Sequence, residues 1–365
     1  MKILLDNIIF SLQKAGGASV VWQQHLERLI KDIEFECHFL EYDNAQLNFF
    51  RKQLLIDNNL VDLKNSKMLF PDRYFNINSK INERHIFHSS YYRVDKNNKA
   101  INITTVHDFT YEYFIKGLAQ KVHSYQKNFA LSNSEGIICI SESTKKDLLK
   151  FLPHIKKDKI KVIYNGVDDA FKVLKNENSI PPKAHHFEDF QYAIYVGDRK
   201  TTYKNFAMAV EACGLAKIPL LLIGGGELSE KESRYIADKV GEGNFIALLN
   251  VSVEDLNYYY NNAFCLLYPS LYEGFGIPVI EAQRAGCPVI ATNSSSIPEV
   301  IGNKYLAIDN PTPQRIADKI KELSFKNNLR KETIDVSLEK SKIFSWKNTY
   351  DETTEFYKEL YSNLK

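Results

Sequence analysis

The sequence predicts an α/β protein built from two doubly wound parallel-sheet domains. Three observations predict it. Short β-rich apolar runs alternate with helical patterns along most of the chain, and strand–helix alternation yields parallel sheets with helices on both faces. The alternation breaks once, from Asp168 to Phe190, where the chain is polar, contains Pro181-Pro182 and shows no clear period. The length of 365 residues also suits two domains at roughly 150 residues each.

The first series of expected strands is Lys2–Leu5, Cys37–Tyr42, His85–His88, Ile101–Val106, Gly136–Ile140 and Lys161–Tyr164. The second is Tyr192–Val196, Leu220–Ile223, Phe245–Leu248, Phe264–Tyr268, Pro288–Ala291 and Tyr305–Ile308. Trp22, Leu26, Leu29 and Ile33 recur at helical spacing and predict a helix over Ala18–Ile33. Ser143 is a candidate N-cap ahead of Lys145–Phe151. The tail from Ser345 to Leu364 carries an apolar stripe of Trp346, Tyr350, Phe356, Tyr357, Leu360 and Tyr361. The expected division is a domain over 1–170, a linker over 171–190, a second domain over 191–344 and a terminal helix over 345–365.

Composition narrows the function classes. Hydrophobic residues make up 44% and charged residues 25%, ordinary values that exclude a disordered or collagenous chain. Lys plus Arg is 47 against 45 for Asp plus Glu, so nothing in the balance calls for nucleic acid. The uncharged stretch Leu256–Tyr272 has only 17 residues, with Pro269 and three asparagines inside it, too short and polar to span a bilayer. The apolar run Ile3-Leu4-Leu5 is far shorter than a signal peptide requires. Cys37, Cys139, Cys213, Cys265 and Cys287 are widely spaced, mostly within apolar runs, and read as buried free thiols of a cytoplasmic protein.

Ligands of doubly wound sheets bind outside the carboxyl ends of the strands, so the expected site is a cleft between the two domains. Gly197-Asp198-Arg199-Lys200-Thr201-Thr202-Tyr203-Lys204-Asn205 follows one expected strand and precedes a helix. A guanidinium and an ammonium there suit a diphosphate; alone, a solvated cationic loop explains them as well. Ser270 to Ala282, SLYEGFGIPVIEA, follows another strand. Gly274 and Gly276 allow close approach of backbone to ligand. Pro278 should open a helix whose first amides face an anion, with Glu281 in its first turn and Glu273 in the loop ahead. A carboxylate accepts two vicinal hydroxyls, so Glu281 fits a ribose and Glu273 a sugar; a helix-dipole charge is the plain alternative for each. Gly16-Gly17 opens the helix Ala18–Ile33, where a simple turn would do equally. His107 and Asp108 leave the strand Ile101–Val106 at its carboxyl end, where an imidazole can bond a sugar hydroxyl. The His85/His88 and His185/His186 pairs make no convincing metal site.

Together these pieces resemble the retaining glycosyltransferases of the GT-B fold, specifically glycosyltransferase family four. The stretch PSLYEGFGIPVIEAQRAGCPVIATNSSSIPEV, Pro269 to Val300, is similar to the family signature of two glutamates eight apart. YVGDRKTTYKN resembles its Arg/Lys loop, and AGG at Ala15–Gly17, His107-Asp108, SEST at Ser141–Thr144 and YNGVD at Tyr164–Asp168 follow the family order. The resemblance implies two Rossmann-like domains facing a central cleft, the C-terminal helix packing back on the N-terminal domain. It implies that Arg199 and Lys204 hold the donor diphosphate with Gly197 in their loop, and that Glu281 holds the ribose. Glu273 and the amides of Gly274, Phe275, Gly276 and Ile277 would hold donor sugar and phosphate. Gly17 would approach the phosphate or acceptor, and His107 the transferred sugar. The Gly197-to-Lys204 interval is one residue longer than the family spacing, which leaves Lys200 a rival to Lys204; Lys204 is preferred because it precedes Asn205 at the helix start.

The implied reaction is hexosyl transfer with retention, from GDP-mannose or a UDP-hexose, with a preference for mannose. The acceptor would be a glycan or lipid-linked glycan of a cell-surface polysaccharide such as O-antigen. No Asp-x-Asp occurs in the chain, and neither metal nor cofactor is expected. Tyr111, Tyr113 and Phe114 suit either a sugar ring or the core. Lys145–Lys161 holds seven lysines against two aspartates, with Phe151 and Leu152 among them. It reads as a solvated helix face, or as a surface resting on an anionic membrane at the inner face of the plasma membrane. Competing classes are an epimerase of the same fold, an inert sugar-nucleotide-binding protein and a glycosidase.

Overall fold

The computed structural model describes residues 1–174, 187 and 191–363. The chain forms two compact units: Met1–Asn165 with Trp346–Lys365, and Gly166–Ser345. Unit 1 is built on a seven-stranded parallel sheet ordered β3-β2-β1-β4-β5-β6-β7. Its strands are β1 (Lys2–Asp6), β2 (Glu36–Tyr42), β3 (Val61–Lys64), β4 (His85–Ser89), β5 (Ala100–Val106), β6 (Gly136–Cys139) and β7 (Ile160–Val162). Unit 2 has a six-stranded parallel sheet ordered β10-β9-β8-β11-β12-β13. Its strands are β8 (Ala193–Val196), β9 (Leu220–Ile223), β10 (Phe245–Leu248), β11 (Cys265–Tyr268), β12 (Val289–Thr292) and β13 (Ala307–Ile308).

The apolar runs become central strands because both faces of such a sheet are covered. Ile3, Leu5, Ile86, Leu220 and Leu222 are fully buried. β3 is the strand that hydrophobicity does not announce: Val61-Asp62-Leu63-Lys64 pairs with β2 at the edge of the described sheet, with Leu63 62% exposed. Tyr305 lies in the 3-10 turn Lys304–Leu306, so β13 starts later than expected.

Helix boundaries required three corrections. The helix after β1 is Gly17–Leu29, and Ile33 lies beyond it, fully exposed. The helix after β6 is Glu142–Phe151; its cap is Ser141, whose hydroxyl accepts from the Thr144 amide at 3.0 Å, in place of Ser143. The helix after β11 starts at Ile277, one residue before Pro278, from a left-handed Gly276 with φ of 100°. Glu281 is therefore in its second turn, beyond the reach of the helix N-terminus.

The terminal helix Trp346–Asn363 belongs to unit 1. Phe356 and Tyr357 join a core with Trp22, Leu26, Ile3 and Ile86. Gly136 in β6 lets it come close: a Cβ there would meet Leu360 and stand 2.9 Å from the Phe356 ring. The expected linker starts inside unit 2. The Lys172 and Leu174 amides donate to the Asn257 and Asn261 side chains at 3.0 and 2.8 Å. The rest of it, except Phe187, with Pro181-Pro182 and the His185/His186 pair, lies outside the described residues. All five cysteines are buried and free.

Candidate active site

In unit 2, three loops leave the carboxyl ends of β8, β11 and β12. The Leu271 amide donates to the Tyr203 carbonyl at 2.8 Å, joining the first two loops. The Glu273 amide donates to Ser295 Oγ at 2.8 Å. Ser296 Oγ donates to the carbonyls of Glu273 and Phe275 at 2.9 and 2.8 Å, joining the second loop to the third. These bonds fix the backbone that carries Lys204 and Glu273.

Lys204 Nζ donates to both Glu273 oxygens, at 2.6 and 2.8 Å. The pair is largely buried, with 20% and 10% of the side chains exposed, and the ammonium also lies 5.7 Å from the Tyr203 and Tyr268 ring centres. Glu281, eight residues on, is half-buried, and its carboxylate accepts from Tyr260 Oη at 3.2 Å. Burial pushes its pKa up to about 7, and the Asp168 charge adds to the rise while the Tyr260 bond opposes it. This carboxyl changes charge near neutral pH.

Arg199 is placed differently from the sequence expectation. Its side chain is 1% exposed, and the guanidinium donates to the carbonyls of Gly224, Gly226 and Glu227, the last two at 2.8 and 3.2 Å. Glu232 lies 3.4 Å from its Nε. Arg199 thus braces the glycine loop after β9, and Lys204 and Arg199 share no partner in these bonds. Lys200 is exposed. The Gly197 amide is taken by the Ile223 carbonyl at 3.0 Å. The Phe275 ring is buried and packs edge-on against Phe344 at 5.6 Å, so only its backbone faces the loop. Gly276 also has no room for a side chain, since a Cβ would stand 2.9 Å from Ile297 Cδ1.

In unit 1, strand order reverses between β1 and β4, a switch point where such sheets bind ligands. Gly17 opens the helix after β1, and a Cβ there would meet nothing within 4 Å. His107, Ala18, Val21, Ser89, Ser90 and Asn165 line one small cavity at this point. Burial lowers the His107 pKa, so the imidazole is neutral. Sequence reasoning missed the network behind it: Tyr357 Oη lies 2.5 Å from His88 Nδ1 and 2.9 Å from His25 Nε2. Only the stripe containing Tyr357 hinted at it. In the lysine-rich segment, Phe151 is partly buried and stacks on Phe109 at 5.3 Å, and Leu152 is buried.

Two units, each on a parallel sheet, with a cation–carboxylate pair in the strand-end loops of unit 2 and a second glutamate on the helix that follows β11, place a charged group where doubly wound proteins bind their ligands. Comparison with known proteins gives the family. Residues 15–171 match the model "Glycosyltransferase Family 4", and residues 176–337 match "Glycosyl transferases group 1". The chain belongs to this glycosyltransferase family and has the GT-B fold. It is 28% identical to an uncharacterised glycosyltransferase of Methanocaldococcus jannaschii, over 99% of both chains. It is 26% identical to O-antigen chain mannosyltransferase B of Escherichia coli, over 71% of this chain and 70% of that one. Among solved structures it is similar to the sucrose-phosphate synthase of Thermosynechococcus elongatus, with a TM-score of 0.73, 16% identity and 99% of each chain covered. It is also similar to HepE of Anabaena in complex with UDP and glucose, with a TM-score of 0.70, 14% identity, and 98% and 100% covered.

Proposed function

We propose that the protein is a retaining hexosyltransferase, with mannose from GDP-mannose as the preferred group and UDP-hexoses as the alternative donors. The acceptor is a glycan or lipid-linked glycan of a cell-surface polysaccharide of the O-antigen type. The Lys204–Glu273 pair carries this reading: a cation held by two oxygens in a strand-end loop, ready to exchange its carboxylate for a phosphate. The mannosyltransferase relative supports the choice of sugar and pathway class.

Charge dictates the division of labour. The leaving diphosphate gains negative charge as the glycosidic bond stretches, and Lys204 with the amides of Gly274 to Ile277 stabilises it. Glu273, released from Lys204, accepts hydroxyls of the donor sugar, and Glu281 accepts the ribose diol. Arg199 acts as a positioning residue through the glycine loop that it braces. The acceptor attacks on the face from which the diphosphate departs, and a phosphate oxygen takes its proton. Unit 1 takes the acceptor, with Gly17 and His107 at its switch point. No metal is required in this scheme.

Incubation with labelled GDP-mannose, UDP-glucose and UDP-N-acetylglucosamine, with EDTA present, tests the proposal. A donor-dependent new glycan with retained configuration supports it; isomerised donor supports an epimerase instead, and binding without turnover supports an inert protein. The Glu281 carboxyl adds a pH signature. It is neutral below about 7 and ionised above, so nucleoside diphosphate affinity should rise as pH is raised from 6 to 8. Glu281→Gln should flatten that rise; an unchanged rise would remove Glu281 from the ribose.

Peripheral contact with an anionic membrane is part of the proposal, at a changed address. Ile115, Leu118 and Tyr125 are 40%, 77% and 73% exposed, and Lys116 and Lys121 are exposed among them. No helix among the described residues is long and apolar enough to cross a membrane. Leu118→Asp should reduce co-sedimentation with anionic liposomes several-fold; equal binding to neutral and anionic vesicles would discard the contact.

A further inference from the structure

The loops after β3, β4 and β5 of unit 1 gather a polar and aromatic group around Arg73 that none of the roles above uses. Arg73 follows the short helix Leu69–Asp72. Its Nη2 donates to Tyr91 Oη at 3.3 Å, and the guanidinium carbon lies 5.1 and 5.6 Å from the Tyr74 and Tyr91 ring centres. Arg73 Nε is buried and has no hydrogen-bond partner among the described residues. The Nε/Nη2 edge is the one that grips a carboxylate or phosphate through two parallel bonds; here it makes one long bond to a tyrosine. The nearby acids are occupied: Asp72 accepts from Tyr42 at 3.0 Å and Glu112 from Lys127 at 2.8 Å.

Two more polar atoms in this group lack partners among the described residues. Gln126 is 8% exposed; its Nε2 donates to the Arg73 carbonyl, while its Oε1 is unpaired. His123, three residues earlier on the helix Leu118–Ser132, has a buried and unpaired Nδ1. Its ring stacks on Tyr111 at 3.7 Å and 12°. Tyr111 and Tyr74 form the rim, 36% and 41% exposed. A buried polar atom left unpaired costs about 1–3 kcal/mol, and folded proteins keep few of them. Three in one cluster at the carboxyl edge of the sheet leave donors and acceptors that a bound polar ligand can satisfy.

We infer that Arg73, His123 and Gln126 form a subsite for an oxyanion-bearing acceptor, a sugar carrying a carboxylate or a phosphate. Arg73 grips the oxyanion, His123 and Gln126 bond neighbouring hydroxyls, and Tyr111 swings off His123 to admit the ring. The inference rests on the reading that unit 1 takes the acceptor.

Calorimetric titration tests it on the full chain carrying Lys204→Ala, so that the donor-phosphate cation cannot respond. The probes are glucuronic acid, glucose 1-phosphate, glucose and inorganic phosphate. At least one anionic sugar should bind ten-fold or more tighter than both glucose and inorganic phosphate, and the better of the two identifies the oxyanion. Adding Arg73→Gln should weaken that binding roughly 10–100-fold. Arg73→Lys should not restore it, because an ammonium cannot bond bidentately. Gln126→Leu should weaken it less, and the His123 imidazole NMR signals should move on titration. Equal binding of glucose and the anionic sugars, equal binding of inorganic phosphate, or full affinity in Arg73→Gln would overturn the subsite. In the chain with Lys204 intact, Arg73→Gln should still bind nucleoside diphosphate. If it does while no anionic sugar binds, the subsite is wrong and the donor assignment stands; if the parent chain binds neither, both fail.

Discussion

Replacing Lys204 with alanine should lower kcat/KM by about 10²–10³, the range expected when one donor that stabilises a developing oxyanion is lost. Two effects add. The cation that meets the leaving diphosphate is gone, and Glu273, only 10% exposed at its side chain, keeps a carboxylate facing the incoming phosphates with nothing to neutralise it. The second effect can be separated from the first. Lys204→Ala combined with Glu273→Gln should bind nucleoside diphosphate more tightly than Lys204→Ala alone, although it turns over no faster. Steady-state kinetics and calorimetry on the three variants read this directly. Full turnover by Lys204→Ala would end the assignment of the donor site.

Acid should weaken unit 1 before it weakens unit 2. Burial pulls the His25 pKa down to about 4, with the Arg28 charge adding to it, and burial also holds His88 well below its ordinary value, helped by His25 and His107. A base whose folded pKa lies below its unfolded value of roughly 6.5 stays neutral in the fold. Its contribution is complete above the unfolded pKa and drains away as pH falls toward the folded one. For His25 alone the loss between pH 6.5 and 4 is on the order of 3 kcal/mol, and His88 acts in the same direction. Tyr357→Phe removes the hydroxyl that both rings meet and should cost about 1–3 kcal/mol at pH 7. Hydrogen exchange of the Trp346–Asn363 amides at pH 7 and pH 5 measures both effects. Protection that does not change with pH, in the parent and in His25→Gln alike, would show that these rings do not govern the attachment of the helix.

The sheet architecture was legible because buried parallel strands are written as continuous apolar runs, such as Leu220–Ile223 and Cys265–Tyr268. β3 was not, because an edge strand with one side in water needs no such run. Ile33 repeated at helical spacing but lay past the end of its helix; spacing alone does not place a helix end. Lys204 and Glu273 stood out through their loops, yet nothing in the sequence says that they pair across 69 residues. The bonds of Arg199 were hidden for a related reason. A charged residue in a βα loop looks like a ligand group until the carbonyls of a distant glycine turn are seen to take its donors. The Arg73 cluster left no local signal either, since its members come from a loop after β3, a loop after β4 and the helix Leu118–Ser132.

Unit 1 closes its core with residues that the ribosome makes only after all of unit 2. Phe356 and Tyr357 pack beside Ile3 and Trp22, and residues 166–345 of unit 2 are translated in the interval. At about 5–20 residues per second, the earlier-made half waits roughly 10 to 40 seconds for its final helix, while unit 2 has every part it needs as soon as it emerges. A stop codon introduced just after Ser345 would therefore strike the half encoded first, leaving a finished unit 2 attached to an unfinished unit 1 that chaperones would have to shield.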